Sequence, residues 1–307
     1  MPAESYQPAL NRDSHSALGP FARRLLFCLG WILLISLLFF RPLHAFISYS
    51  LSDENASHLV LIPFISCWIL FLDRDRVFKL PGSDVPLASI SFASGTLVAL
   101  LAFSASASLS ALNQLSLYIF ALMLLWIAGF AFFFGREAFR KARFALAFLV
   151  LAIPIPDFLL EKIIYLLQKG SAEVAAVLFD WSGVPVLRDG FVFHLARVNI
   201  EVARECSGIR SSLALLILAI LVSYFYLDKF WKQAVLVAAG LFIMIVKNGV
   251  RIVTLTLLAS YVDPGFLYGR LHREGGVVFF LLGLLLMAPL LWFLQRGQRK
   301  PAAQAAN

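Results

Sequence analysis

Eight apolar runs, each bounded by polar or basic links, leave this chain few folds to choose from. They cover residues 25–40, 58–72, 87–109, 115–134, 144–156, 211–227, 234–258 and 276–294. A helix needs about 20 apolar residues to cross roughly 30 Å of hydrocarbon, so most of these runs are long enough, and the second and fifth are the weakest. The runs are continuous and do not alternate, which argues against a membrane β-barrel. The chain is 61% hydrophobic and 14% charged, with a mean hydropathy of +0.84. A water-soluble domain of this size would have to expose large apolar patches to hold such a composition. The expected fold is therefore all-α: a polytopic membrane bundle of about eight transmembrane helices.

The net charge of +8 does not point to nucleic acid, because the cations sit at segment ends and form no single stripe. Arg23 and Arg24 precede the first run, and Arg74, Arg76 and Lys79 follow the second. Arg136, Arg140, Lys141 and Arg143 separate the fourth and fifth, Lys229 and Lys232 follow the sixth, and Arg296, Arg299 and Lys300 follow the last. The positive-inside rule then puts both termini in the cytoplasm of a multi-pass protein of the plasma (inner) membrane, with the link 110–114 outside. The long segment 157–210 is also read as external, since long translocated regions count little in that rule. Arg23-Arg24 before an apolar run could mark a cleaved signal, but no small-residue cleavage site follows, and an uncleaved first anchor is expected.

Residues 1–22 and 296–307 are polar and without apolar period, which suits disordered cytoplasmic tails flanking a transmembrane domain at 23–295. Pro154 and Pro156 end the fifth run. Beyond them, residues 158–179 mix apolar positions with Glu161, Lys162, Lys169 and Glu173, the pattern of an amphipathic helix on the outer face. Residues 187–200 alternate around Asp189-Gly190 and read as a short hairpin or extended loop capping the outer mouth. Of three cysteines, Cys28 and Cys67 fall inside apolar runs and are expected to pack as small apolar side chains. Cys206 stands apart, outside.

Cys206 precedes the sixth run in Glu205-Cys206-Ser207-Gly208-Ile209-Arg210-Ser211. A helix N-terminus favours a thiolate over a thiol, which would make Cys206 a nucleophile. Arg210, four residues on, would add positive potential from the same helical face, Gly208 would let a substrate backbone approach, and Ser207 lies between them. Arg251, in Asn248-Gly249-Val250-Arg251, comes about 20 residues after the basic turn at 229–232, roughly 30 Å of helical rise. It has therefore reached the outer side, and Lys247, Asn248 and Thr254 share its face. His272, just ahead of the eighth run, falls at the same depth and suits proton transfer near neutral pH. A thiol, a guanidinium and an imidazole at one membrane level are what acyl transfer through a thiolate needs. Each has a plainer reading: Arg251 and Lys247 can snorkel to headgroups, and a loop histidine can simply be solvated. A transporter would explain the cations as pathway charges but leaves Cys206 idle, and a scaffold would reduce the cluster to interhelical glue. No His or Cys pair has metal-ligand spacing, and no cofactor is called for.

These three motifs, in this order and each beside a membrane helix, resemble the signature of the exosortase/archaeosortase family, and Pro154-Ile155-Pro156 is similar too. The likeness runs from the second apolar run to the eighth. It implies a multi-pass cysteine protease or transpeptidase with sortase-like chemistry, and needs no cofactor. Its substrates would be membrane-tethered proteins whose C-terminal signal has a short motif of Pro-Glu-Pro type, a membrane helix and a basic cluster. Cys206, Arg251 and His272 fall on the family's cysteine, arginine and histidine, with Arg210, Asn248, Gly208 and Ser207 as supporting candidates. The acyl-enzyme would pass to water or to an amine on a surface glycan or lipid.

Overall fold

A computed structural model describes residues 19–53, 55–79, 82–196, 198–202, 208–267 and 276–296. Six helices among them are long and apolar enough to cross a membrane: Pro20–Leu38, Val85–Ser104, Ala111–Ala152, Ile209–Tyr226, Phe230–Tyr261 and Gly276–Gln295. The chain is thus an integral membrane protein, an all-α bundle in two compact units, Met1–Ile155 and Pro156–Asn307.

The first unit contains α1 (Pro20–Leu38), α2 (Phe40–Ser52), α3 (Leu61–Leu72), a single turn α4 (Arg74–Val77), α5 (Val85–Ser104) and α6 (Ala111–Phe148), which ends in a 3-10 turn at Leu149–Ala152. The second apolar run of the sequence is α3, only 12 residues long. The expected N-terminal tail is shorter than its assigned boundary, because α1 already begins at Pro20, where proline's fixed φ suits the first helical turn.

The fourth and fifth runs both belong to α6, and the element is folded double. Ser116 Oγ donates to the Pro154 carbonyl at 2.7 Å, whereas 38 residues of straight helix would hold them about 57 Å apart. The fold is at Gly135, with φ 77° and ψ −178° inside otherwise helical backbone, a region essentially reserved for glycine. Carbonyls just before it serve other partners, as at a true helix end. Phe134 O accepts from Gly82 N at 3.2 Å and Ala131 O from Asp84 N at 3.1 Å. Arg24 Nη1 donates to Gly82 O at 2.8 Å and reaches Phe133 O at 3.4 Å. Arg24 is therefore a structural clasp as well as a charge marker. The turn, α4 and the start of α1 gather at one end of this unit, where Cys28, Val77, Phe130, Phe134, Ala138 and Ala142 pack together. Arg136, Arg140, Lys141 and Arg143 lie just past that turn in the chain, while Arg41, at the start of α2, stands beyond the other end of α1. Cys28 is buried as expected, but Cys67 is exposed on α3 and does not pack inside.

The second unit is arranged around α9 (Phe230–Tyr261), against which α7 (Asp157–Ser182), α8 (Ile209–Tyr226) and α10 (Gly276–Gln295) all pack. Residue pairings give the directions. Lys232 Nζ donates to Leu294 O at 2.6 Å, satisfying a terminal carbonyl of α10, while Gly283 of α10 meets Lys247 and Leu215. Gly240 meets Ala219, and Ser211 meets Lys247. Helices α8 and α10 therefore both run antiparallel to α9, with a shared core of Leu215, Ala219, Leu236, Met244, Met287 and Leu294. Hence the N-termini of α8 and α10 lie at the same end of the unit, opposite Lys232.

The amphipathic segment is α7. It buries Leu167, Gln168, Ser171, Ala172, Ala175 and Phe179 at helical spacing and leaves Glu161, Lys162, Lys169 and Glu173 exposed. Contacts advance together on both helices, Gly170 on Ile245 and then Val174 on Gly249, so α7 and the second half of α9 run in the same direction where they touch. A three-stranded antiparallel meander follows, β1 (Leu187–Asp189), β2 (Val192–His194) and β3 (Asn199–Glu201), turning at Gly190 with φ 57°. Phe193 seats it on Phe179, Val202, Ile252 and Val253, and Arg188 grips Glu173 of α7 through two bonds of 2.8 and 3.0 Å. That bond to the guanidinium holds the Glu173 carboxyl below its ordinary pKa.

Candidate functional site

Cys206, Ser207 and His272 lie outside the described residues. What the structure describes is the ground on either side: Val202 before the cysteine segment, Gly208 after it, Gly276 after the histidine segment, and the turn of α9 carrying Lys247, Asn248 and Arg251.

Val202 is fixed at two points. Its amide donates to Phe191 O at 2.9 Å, and its carbonyl accepts from Gln168 Nε2, also at 2.9 Å. Gly208 is the residue before α8, in left-handed backbone at φ 67°. A Cβ on it would stand 2.7 Å from Asn248 Oδ1. The space a side chain would take is thus used by Asn248, which presses its amide onto the backbone of the α8 turn. Asn248 Nδ2 meanwhile donates to Ser171 Oγ of α7 at 3.0 Å. A single buried amide therefore touches three helices.

Lys247 does the same one residue earlier. Its ammonium donates to Ser211 Oγ at 2.5 Å, and Ser211 Oγ donates to Gly208 O at 3.1 Å. The side chain is 1% exposed, and a charged group so buried is costly unless it is hydrogen-bonded. Arg251 is half-buried on the next turn of α9, and Thr254 is one turn further. From Lys232 to Arg251 the helix rises about 28 Å, so this polar face is at the end where α8 and α10 begin.

Arg210 is exposed in the first turn of α8. The expectation that it shares a helical face with Cys206 falls on a residue outside the described ones; on the described side, α8 starts at Ile209, after left-handed backbone at Gly208. Sequence reasoning passed over Gln168 and Ser171. Their signal was present: both share the face of α7 that carries Ala172 and Ala175, where a polar residue is buried and needs a partner.

Replacing Gly208 by alanine is expected to cost about 1–3 kcal/mol from left-handed backbone, plus the clash with Asn248. Thermal unfolding in detergent should show a lowered Tm, and Asn248→Ala in the same chain should recover only the clash. Complete recovery would put the whole cost on Asn248.

Residues 50–289 match the family model described as transmembrane exosortase (Exosortase_EpsH). No curated protein and no solved structure matches the chain. The matched stretch includes α3, the doubled helix α6, the meander, and the polar turn of α9 with all three helices packed on it. The chain belongs to the transmembrane exosortase family and is a protein-sorting enzyme of the membrane.

Proposed function

We propose that the protein is a cysteine endopeptidase or transpeptidase that cuts the C-terminal sorting signal of exported, membrane-tethered proteins at the outer face of the inner membrane. The signal would be of the tripartite kind, a Pro-Glu-Pro-type motif followed by a membrane helix and a basic cluster, with both termini of the enzyme in the cytoplasm. The observation that carries this reading is the antiparallel packing of α8 and α10 on α9. It brings Gly208, two residues after Cys206, and the α10 start at Gly276, four residues after His272, to the end of the unit where Arg251 emerges.

In this reading the Cys206 thiolate attacks the scissile carbonyl, and the C–N bond breaks as a thioester forms. Arg251 stabilises the negative charge on the tetrahedral oxygen, which in a partly desolvated site is worth far more than in water. His272 delivers the proton that the departing amine requires. Water, or an amine on a surface glycan or lipid, then takes the acyl group and restores the thiol. Arg210 supplies positive potential at the start of α8, Asn248 and Gly208 hold that turn, and Ser207 adjoins the nucleophile.

The covalent intermediate gives the test. Membranes carrying the enzyme and a substrate with a tripartite C-terminal signal are treated with hydroxylamine, and the cleaved substrate is weighed by mass spectrometry. A thioester is expected to yield the hydroxamate. Recovery of free acid alone, undiminished by hydroxylamine, would mean direct hydrolysis and overturn the acyl-enzyme.

A further inference from the structure

Lys247 is among the most deeply buried polar side chains of the second unit, and the chemistry proposed above gives it nothing to do. Its stem passes beside Gly283 of α10, where a Cβ would lie 3.5 Å from Lys247 Cδ. The ammonium ends on Ser211 Oγ. Ser211 in turn donates to the Gly208 carbonyl, which also accepts the Ser212 amide at 2.9 Å.

Adhesion between helices does not require a cation. One residue further along, Asn248 and Ser171 join α9 to α7 with neutral groups, the usual means inside membranes. Methionine would fill the same channel beside Gly283 without a buried charge. An ionisable group kept at such depth marks a functional position, and the turn it grips, residues 208–212, leads directly into the segment bearing Cys206.

We infer that Lys247 is a positioning residue: acting through the Ser211 hydroxyl, it fixes the first turn of α8 and with it the orientation of the adjoining nucleophile segment. This rests on the cysteine mechanism proposed above. Lys247 touches no substrate, so its removal slows the chemical step and leaves substrate affinity alone. A misplacement on the order of 1 Å can reduce a rate by about 100-fold.

The test compares cleavage of the same substrate by purified full-length wild type, Lys247→Met, Ser211→Ala, Ser211→Thr, the double variant Lys247→Met/Ser211→Ala, and Cys206→Ala, with Tm recorded for each. Lys247→Met should lower kcat by about 10- to 100-fold with KM within about twofold. Ser211→Ala should lower kcat in the same way, Ser211→Thr should restore it, and the double variant should be no worse than Lys247→Met, because both act through one chain of bonds. Unchanged kcat in Ser211→Ala, or losses that multiply in the double variant, would overturn the inference. If Lys247→Met does not fold, the comparison of Ser211→Ala with Ser211→Thr decides alone. Activity persisting in Cys206→Ala would overturn the cysteine mechanism and this inference together; Cys206→Ala inactive with Lys247→Met at wild-type kcat would overturn only the inference.

Discussion

Cleavage of a co-expressed substrate is expected to fall by about 10⁴-fold or more when Cys206 becomes alanine, because every later step passes through the sulfur. Serine at the same position should do little better, since its hydroxyl, unlike a thiol, does not ionise near neutral pH. Arg251→Ala should lose less, about 10²- to 10³-fold, the scale of a removed oxyanion donor. The readout is the mass of the substrate C-terminus, followed over time in membranes with matched enzyme levels. The ordering carries the meaning. If Arg251→Ala were as inactive as Cys206→Ala but also unfolded at lower temperature, Arg251 would be holding the bundle and not the oxyanion. If Cys206→Ala still processed substrate, the thiol would be no nucleophile. Such a result would return the polar cluster on α9 to a structural role.

The second large effect is expected far along the chain, at Gly135. Its φ of 77° and ψ of −178° are open to glycine and costly to any other residue. A Cβ would also stand 2.8 Å from Gly82 C and from Ser83 N, so relief would have to come from backbone. Alanine is therefore expected to remove about 3–5 kcal/mol and valine more, a large share of the roughly 5–15 kcal/mol that keeps an ordinary protein folded. The measurement is the yield of protein resisting proteolysis in detergent, together with the Tm of what survives. Loss should be specific to the turn: Gly30, where an added Cβ would meet nothing within 4 Å, should accept alanine with little change. A Gly135→Ala protein as stable as wild type would mean that α6 does not fold back at that residue.

Much of this fold could be read in advance, for a definite physical reason. Each apolar run must satisfy its own backbone hydrogen bonds in a medium without water, so length and composition select helix almost without competition. That logic placed an apolar run in each of the six membrane-length helices among the described residues, and the glycine of Asp189-Gly190 announced its turn. It failed where partners matter. Nothing local separates a glycine that breaks a helix from one that Trp31 merely packs against, as at Gly129, so the doubling of α6 was visible only as two runs with a basic link. The contact of Gly208 with Asn248, forty residues away in sequence, is likewise invisible in local order.

The same division holds at the candidate site. Residue chemistry and depth along each helix are properties of order and rise, and from them alone Cys206, Arg251 and His272 were assigned to one level of the membrane. The family match covers residues 50–289, a stretch that contains all three. What linear order could not supply is the network beneath that level: Lys247 through Ser211 to Gly208, and Asn248 between Gly208 and Ser171. Those bonds join three helices whose facing sides are chosen by packing, and small residues such as Gly283, Gly170 and Gly249 set how closely the helices approach. A single chain written out in order specifies which groups exist and how deep they lie; which of them meet is settled when the helices close on one another.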